Sequence, residues 1–185
     1  MGFHTFPIDR ADALEDPSRY RYCSREELVA ALDLDGTEAV ADLGSGTGFY
    51  TDDVASFADR MYAVDVQAEM HDIYSEKGMP DNVEPVTAPV DDLPFDDGAL
   101  EAAFSTMTYH EFAGEGALEE LHRVLVPGGR LVTVDWTATG EGESGPPRTE
   151  RYDLSEAISH HEAGGFVVER ADERPETMLV VATRN

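Results

Sequence analysis

The feature that most constrains this fold is a short apolar run that ends in three alternating glycines. The stretch VADLGSGTGFY covers residues 40–50 and places Gly44, Gly46 and Gly48 directly after the apolar residues. Glycine lets the backbone turn sharply and lets a ligand approach it closely. A strand, a glycine loop and a helix in that order predict the beginning of a strand–helix–strand unit.

The alternation of strand-like and helix-like segments continues along the chain. Helices are predicted near residues 24–32, 49–58, 67–77, 115–125 and 153–163, and a turn at Pro127-Gly128-Gly129 is predicted to close the fourth of them. Strands are predicted near residues 38–43, 61–64, 82–86, 99–105, 130–136, 166–170 and 177–183. This order predicts an α/β fold with a doubly wound, mostly parallel seven-stranded sheet and helices on both faces. Because no helix separates the last two strands, we expect the last strand to be antiparallel.

The 185 residues predict a single domain, with residues 1–33 as an N-terminal covering segment and helix and residues 34–185 as the core. The chain has neither an apolar run of about 18 residues nor a secretory-type beginning, so we expect a cytoplasmic protein that does not enter membranes. The single cysteine, Cys23, excludes an internal disulfide and a cysteine-rich metal site. The sequence leaves the oligomeric state open.

The charge balance is strongly acidic. Thirty-nine acidic residues face 13 basic ones, which gives a formal net charge of −26. Such a surface repels phosphate backbones, so we expect no nucleic-acid partner. An acidic surface could dock a basic partner, but the acids are scattered along the whole chain. We favour adaptation to a salt-rich cytoplasm, because the Debye length in molar salt is only ~3 Å and self-repulsion is screened.

The ends of the first two strands predict a nucleoside site. Ligands of open α/β sheets bind beyond the carboxyl ends of the strands, and Asp65 follows the second strand, where a carboxylate can accept hydrogen bonds from two ribose hydroxyls. The spacing Gly-x-Gly-x-Gly differs from the dinucleotide pattern Gly-x-Gly-x-x-Gly. Asp42, two residues before the first glycine, suits a cationic ligand better than a pyrophosphate. S-adenosylmethionine, which carries a sulfonium and an ammonium, fits this combination.

Several motifs resemble those of one family, the class I S-adenosylmethionine-dependent methyltransferases, and within it the small type 11 group. The first motif is VADLGSGTGFY, and AVD at 63–65 is similar to the family's second-strand acid. DDLPFDDGALEAAFS at 91–105 and LHRVLVPGGRLVTVDW at 121–136 resemble the segments around the fourth and fifth strands. ADALEDPSRYRY at 11–22 is similar to the beginning of these proteins. The resemblance covers essentially the whole chain and implies a Rossmann-like fold with S-adenosylmethionine as cofactor.

The resemblance also implies which residues hold the cofactor. The methionine part is expected at Gly44, Ser45, Gly46 and Gly48, with Asp42 orienting this loop or the ammonium, the ribose at Asp65, and the adenine at Val66, Met70 and Val90. Pro89 stands where the family often has an acid for the adenine amino group, so Asp91 either replaces that acid or the bond is absent. Ser105 and Thr106 are expected to face the cofactor, and one of Tyr20 and Tyr22 is expected to cover it.

Methyl transfer needs alignment of the acceptor more than a fixed catalytic residue, because the sulfonium is already a good leaving group. A base is needed only for an acceptor that must lose a proton. His110 is the candidate base and Tyr109 the candidate for positioning the acceptor. Trp136 is a candidate pocket wall, and Arg148 and Arg151 could attract an anionic substrate or serve only as structural partners.

Adjacent residues on a helix point about 100° apart, so we interpret His160 and His161 as surface residues rather than metal ligands. The predicted function is in-line methyl transfer from S-adenosylmethionine to a small-molecule acceptor. One alternative is a non-catalytic S-adenosylmethionine-binding regulator or subunit. A second is a nicotinamide-dependent oxidoreductase on a similar sheet.

Overall fold

A computed structural model describes residues 5–185; residues 1–4 of the predicted covering segment lie outside this range. The seven strands are β1 Ala39–Leu43, β2 Arg60–Asp65, β3 Val83–Thr87, β4 Leu100–Thr106, β5 Leu125–Trp136, β6 Phe166–Glu173 and β7 Thr177–Arg184. The helices are α1 Arg25–Leu32, α2 Phe49–Ala55, α3 Ala68–Lys77, α4 Tyr109–Phe112, α5 Glu115–Val124 and α6 Leu154–Ala163.

All seven strands form one sheet in the order β3-β2-β1-β4-β5-β7-β6. Neighbouring strands from β3 to β5 are parallel, and β7 is antiparallel to both β5 and β6. The predicted α/β fold with an antiparallel last strand is confirmed. The strand order reverses between β1 and β4, so the carboxyl ends of these two strands open a crevice, the usual ligand site of such sheets.

The two faces of the sheet carry separate apolar cores. One contains Leu43, Leu121 and Leu131, and the other contains Leu28 and Phe104. All five side chains are almost fully buried, and each contributes about 1.5–3 kcal/mol through removal of apolar surface from water. Helices therefore cover both faces and leave the ends of the strands for a ligand.

Several helix ends follow the sequence signals closely. Ser24 accepts a hydrogen bond from the Glu27 N–H at the beginning of α1. Asp153 and Glu156 form a reciprocal capping box at the beginning of α6. These local bonds satisfy backbone groups that the first helical turn leaves free, which is why both boundaries were predictable.

Two features differ from the predictions. Residues 8–15 and 17–21 of the predicted covering segment form two short 3₁₀ helices that were not predicted. Strand β5 begins at Leu125 and runs through Pro127-Gly128-Gly129, where we predicted a turn, because β4 pairs with it across a register shift between Leu100 and Ala102. Within residues 5–185, no helix is long and apolar enough to cross a bilayer.

Candidate active site

A cleft of about 1050 Å³ opens at the carboxyl ends of β1, β2, β4 and β5. Gly44 and Gly46 of the glycine loop line it together with Asp65, and so do His110 and Glu111 of α4. The N-terminal segment, residues 5–22, and the loop of residues 137–150 supply the remaining walls. The cleft therefore joins the predicted nucleoside site to the predicted reaction centre.

The three loop glycines have different roles. Gly44 and Gly46 line the cleft, whereas Gly48 does not. Gly48 begins α2 with φ +81°, and a Cβ on it would lie 2.2 Å from the ring of Tyr74. Gly48 therefore has a packing role and not the expected cofactor contact, because the ring of Tyr74 fills the space beside it.

Asp65 is positioned by the loop that it faces. Its two carboxylate oxygens accept one backbone N–H each, from Gly46 and Gln67, both at 2.9 Å. A carboxylate offers about four acceptor positions, so each oxygen keeps a lone pair for a further donor. The residue lines the cleft with 9% of its surface exposed. This arrangement fits the two hydroxyls of a ribose.

Asp42 lies beneath the glycine loop and not in the cleft. It is 1% exposed and accepts a hydrogen bond of 2.6 Å from the Thr51 hydroxyl. Burial raises the pKa of Asp42 to about 7, and the nearby Arg19 opposes this shift only in part. Its Oδ1 atom is buried without a hydrogen-bond partner among the described residues. The geometry supports the loop-orienting role rather than direct contact with the ammonium.

Arg19 is a cleft residue that the sequence reasoning missed. It lines the cleft beside the glycine loop, and its guanidinium lies 5.1 Å from the ring centroids of Phe49 and Tyr50. One of its N–H groups donates to the Leu14 carbonyl at 2.6 Å. Burial lowers the pKa of Arg19, yet a guanidinium stays charged in proteins. A cation here fits the carboxylate of a methionine group. The available sequence signal was that basic residues are scarce in so acidic a chain.

The expected adenine side is apolar. Val66, Met70 and Val90 line the cleft, and Val66 is 42% exposed although it is apolar. Asp91 does not line the cleft but lines a small hollow beside it, near Gly116. The proposed replacement for the missing acid before Val90 is therefore not supported by the geometry.

At the end of β4, one of the two predicted residues reaches the cleft. Thr106 lines it, but Ser105 is 1% exposed and does not. Side chains alternate between the faces of a strand, so two successive residues could not both face the ligand. The next residue, Met107, has φ +62°, a conformation uncommon for a side chain with a Cβ. This bend turns the chain into α4.

The two tyrosines of the N-terminal segment also differ. Tyr22 lines the cleft, donates a hydrogen bond of 2.7 Å to the Ser144 hydroxyl and packs on Trp136 at 4.7 Å between ring centroids. Tyr20 instead donates to Asp53 on α2 at 2.9 Å and does not line the cleft. Tyr22 is therefore the covering residue of the pair, and it connects the N-terminal segment to the loop of residues 137–150.

His110 is held by a buried carboxylate that the sequence reasoning missed. Asp135, which is fully buried near the end of β5, accepts the His110 backbone N–H at 2.6 Å and lies 3.0 Å from its Nδ1. With Nδ1–H donated to Asp135, Nε2 is left as an acceptor facing the cleft. Burial opposes the charged imidazolium, but the hydrogen bond and charge of Asp135, together with Glu111, outweigh it and raise the pKa of His110.

Glu111 completes this group. Its carboxylate lies 4.0 Å from His110 Nε2, and its side chain is 23% exposed. Burial raises the pKa of Glu111 to about 7; the nearby His110 lowers it, while the charges of Asp65 and Asp135 add to the rise. The cleft thus holds an imidazole between two carboxylates, one fixed and one facing the open space.

Tyr109 lies in the core and not at the reaction centre. It is 1% exposed, its hydroxyl lies 3.1 Å from His160 Nδ1, and its ring stacks on His161 at 5.5 Å.

The surface prediction for His161 is wrong, since this residue is fully buried. Its Nδ1 lies 2.7 Å from the Ala157 carbonyl, and its Nε2 lies 3.1 Å from the Thr133 hydroxyl. Burial lowers its pKa to about 4, so it packs as a neutral ring that anchors α4 through Tyr109.

The arginines after the loop are structural. Arg151 is buried, pairs with Glu176 at 3.4 Å and donates to the carbonyls of Ser144, Pro146 and Thr137. Its guanidinium also lies 5.5 Å from the Trp136 ring. Arg148 donates to the Ala138 carbonyl at 3.1 Å. The structural alternative for both arginines is thus the one that fits, and Trp136 forms a cleft wall that Arg151 supports.

Comparison with known proteins agrees with this geometry. A family model described as a methyltransferase domain matches residues 41–133. A crystal structure of an S-adenosylmethionine-dependent methyltransferase from Aquifex aeolicus is 30% identical and superposes with a TM-score of 0.88, covering 97% of this chain and 100% of that one. This chain therefore belongs to the class I methyltransferase family, whose cofactor is S-adenosylmethionine.

Two curated relatives extend the comparison. An uncharacterized methyltransferase-like protein of Schizosaccharomyces pombe is 32% identical over 128 residues, which cover 69% of this chain and 49% of that protein. A sterol 4-C-methyltransferase of Caenorhabditis elegans is 25% identical over 145 residues, which cover 75% of this chain and 42% of that protein. The chain spans about half the length of the curated relatives it matches.

Proposed function

We propose that this protein transfers a methyl group from S-adenosylmethionine to a small-molecule acceptor and that His110 removes the proton from that acceptor. The observation that carries this proposal is the shared cleft, which contains both the glycine loop with Asp65 and the His110–Asp135 pair. A nucleoside site alone would bind the cofactor. A cleft-facing imidazole with an orienting carboxylate adds the means to activate an acceptor.

The described residues fit the cofactor at three points. Asp65 keeps lone pairs for the ribose, Arg19 offers a cation for the methionine carboxylate, and Val66, Met70 and Val90 offer an apolar surface for the adenine. S-adenosylmethionine supplies an electrophilic methyl group when it is bound. The main work of the protein is then to align the acceptor and exclude water, which can contribute up to about 7–11 kcal/mol.

His110 acts as base only when its imidazole is neutral. Because Asp135 accepts from Nδ1, the free lone pair of the neutral ring is on Nε2, at the cleft surface. The raised pKa makes His110 a stronger base and also delays its deprotonation. The rate is therefore expected to rise with pH through this raised pKa. General-base catalysis of this kind contributes typically about 10²–10⁴-fold.

The walls of the cleft favour a compact acceptor. The N-terminal segment is held over the glycine loop by Lys77, which bonds Glu15 at 3.1 Å and Asp52 at 2.9 Å. The Tyr22–Ser144 bond connects it to the opposite loop. A small molecule can be enclosed between these walls, whereas the acidic surface is unsuited to nucleic acid.

We also propose that the acidic surface adapts the protein to high salt. The formal charge of −26 produces self-repulsion that molar salt screens over about 3 Å. The melting temperature should then rise from dilute buffer to multimolar KCl. A melting temperature that stays constant over this range would refute the proposal.

The test of the proposed function is methyl transfer from radiolabelled S-adenosylmethionine to a panel of metabolites in multimolar KCl. His110→Gln should bind S-adenosylhomocysteine as the wild type does but lose about 10²–10⁴-fold in turnover. Cofactor binding by the wild type without transfer to any compound would favour the non-catalytic regulator. Binding of NADH in preference to S-adenosylhomocysteine would favour the oxidoreductase.

A further inference from the structure

Building on the proposed function, we propose that the acceptor is an amine that enters the cleft as an ammonium ion and is held by the carboxylate of Glu111. The placement of charges around the acceptor end of the cleft favours this chemical class of methyl acceptor.

Glu111 is the cleft-lining carboxylate that lies beside the base. Within residues 5–185, its only charged neighbour within 4.0 Å is His110, through Nε2. The Glu111 backbone N–H donates to the Thr108 carbonyl, which fixes α4. This bond leaves the side-chain oxygens of Glu111 free for a ligand. A partly buried carboxylate without a fixed cation is costly, and an ammonium ion bound beside it would offset that cost.

Three arginines line the cleft, and each is either paired or lies away from the base. Arg151 is paired with Glu176 and bonded to three backbone carbonyls. Arg19 lies on the N-terminal segment near the glycine loop, where the methionine carboxylate is expected. Arg10 lies 5.8 Å from the ring of Phe6, whose carbonyl accepts from the Gln67 side chain at the nucleoside end. Among the residues described, the cleft beside the base therefore presents the carboxylates of Glu111 and the buried Asp135, which favour a positively charged guest.

The charge that develops during transfer also favours nitrogen over oxygen. Deprotonation of a hydroxyl would place a negative charge beside the carboxylate of Glu111, and two like charges close together repel. Deprotonation of an ammonium gives a neutral amine, and positive charge returns to the nitrogen as it is methylated. A carboxylate placed where positive charge develops stabilises the transition state.

His110 Nε2 accepts one proton from the R–NH₃⁺ group, which leaves a neutral amine with a free electron pair. That pair forms a bond to the methyl carbon of S-adenosylmethionine while the carbon–sulfur bond breaks and its electrons stay on sulfur. The products are R–NH₂⁺–CH₃, S-adenosylhomocysteine and a proton that His110 releases to water.

The experiment uses the full chain saturated with S-adenosylhomocysteine in multimolar KCl and measures binding of three matched probes by calorimetry. The probes are 2-phenylethylamine, 2-phenylethanol and phenylacetate, which share a ring that suits the Phe112 and Tyr152 walls. The amine should bind about tenfold tighter than the alcohol, the size of one charge-assisted hydrogen bond. Glu111→Gln should bring the amine and the alcohol to within about threefold of each other.

Glu150→Gln is the matched control, because Glu150 lines the same cleft but belongs to the loop of residues 137–150 and not to α4. The amine preference should survive in this variant. A wild type that binds the alcohol or phenylacetate as well as the amine, or binds none of them, overturns the inference, as does a preference that Glu111→Gln leaves intact. Failure to bind S-adenosylhomocysteine would instead overturn the proposed function.

Discussion

Replacing Gly48 with alanine should destabilise the protein without affecting the cofactor site. The left-handed φ of +81° costs a Cβ-bearing residue about 1–2 kcal/mol. The new Cβ would also lie 2.2 Å from the ring of Tyr74, which is fully buried and bonded to Asp52 at 2.6 Å. Because that ring cannot move freely, overpacking adds about 1–3 kcal/mol, for a total loss of about 2–5 kcal/mol.

Gly36→Ala separates the two contributions. Gly36 has φ +92°, but a Cβ there would meet nothing within 4 Å. It should therefore lose only the backbone contribution of about 1–2 kcal/mol. Urea unfolding at one fixed KCl concentration measures both variants, with the salt held constant because it changes the repulsion between surface acids. Equal stabilities for Gly36→Ala and Gly48→Ala would refute the steric reasoning.

Ligand binding supplies the second half of this test. Gly48 does not line the cleft, so the folded Gly48→Ala protein should bind S-adenosylhomocysteine with unchanged affinity. Gly46 does line the cleft, and a Cβ on it would meet only the flexible tip of Leu14 at 3.0 Å. Gly46→Ala should therefore weaken binding by obstructing the ligand. The opposite pattern would mean that the roles of these glycines are reversed.

Three further predictions follow from the ion pairs and the surface charge. Asp135→Asn removes the carboxylate that raises the pKa of His110. The rising limb of log(kcat/KM) against pH should therefore move to lower pH, while turnover falls. A limb that does not move would exclude His110 as the titrating base. Lys77→Gln breaks the contacts to Glu15 and Asp52 and should speed amide hydrogen exchange in residues 8–21, and unchanged exchange would contradict the clamp. Melting temperature should rise with KCl, as proposed from the net charge of −26, and a constant value would contradict this.

The fold was predictable because each of its signals is local. The glycine loop after an apolar run fixed the first strand–helix unit, and the capping residues Ser24 and Asp153 located two helices. The turn predicted at Pro127-Gly128-Gly129 was wrong because a register shift with β4 lets the strand continue through it. Pairing between distant strands overrides local turn signals there, and no local pattern reports it.

The site was predictable only as far as the motifs extend. Asp65 and Gly46 are in contact as their motif order suggests, and His110 reaches the cleft. Asp135 was missed because it is 25 residues from His110 in sequence, and only the alignment of β5 beside α4 joins them. Tyr109 was placed wrongly because it is next to His110 in sequence. His110 lines the cleft, but the side chain of Tyr109 lies in the core.

The central claim is that Asp65 and the glycine loop form the binding site for an adenosyl ligand. Calorimetric titration of S-adenosylhomocysteine into the wild type and Asp65→Asn, in multimolar KCl, tests it most directly. We predict one molecule bound per chain by the wild type and about tenfold weaker binding by the variant, the loss expected for a charge-assisted hydrogen bond. No binding by the wild type, or equal affinity of both proteins, would contradict the claim.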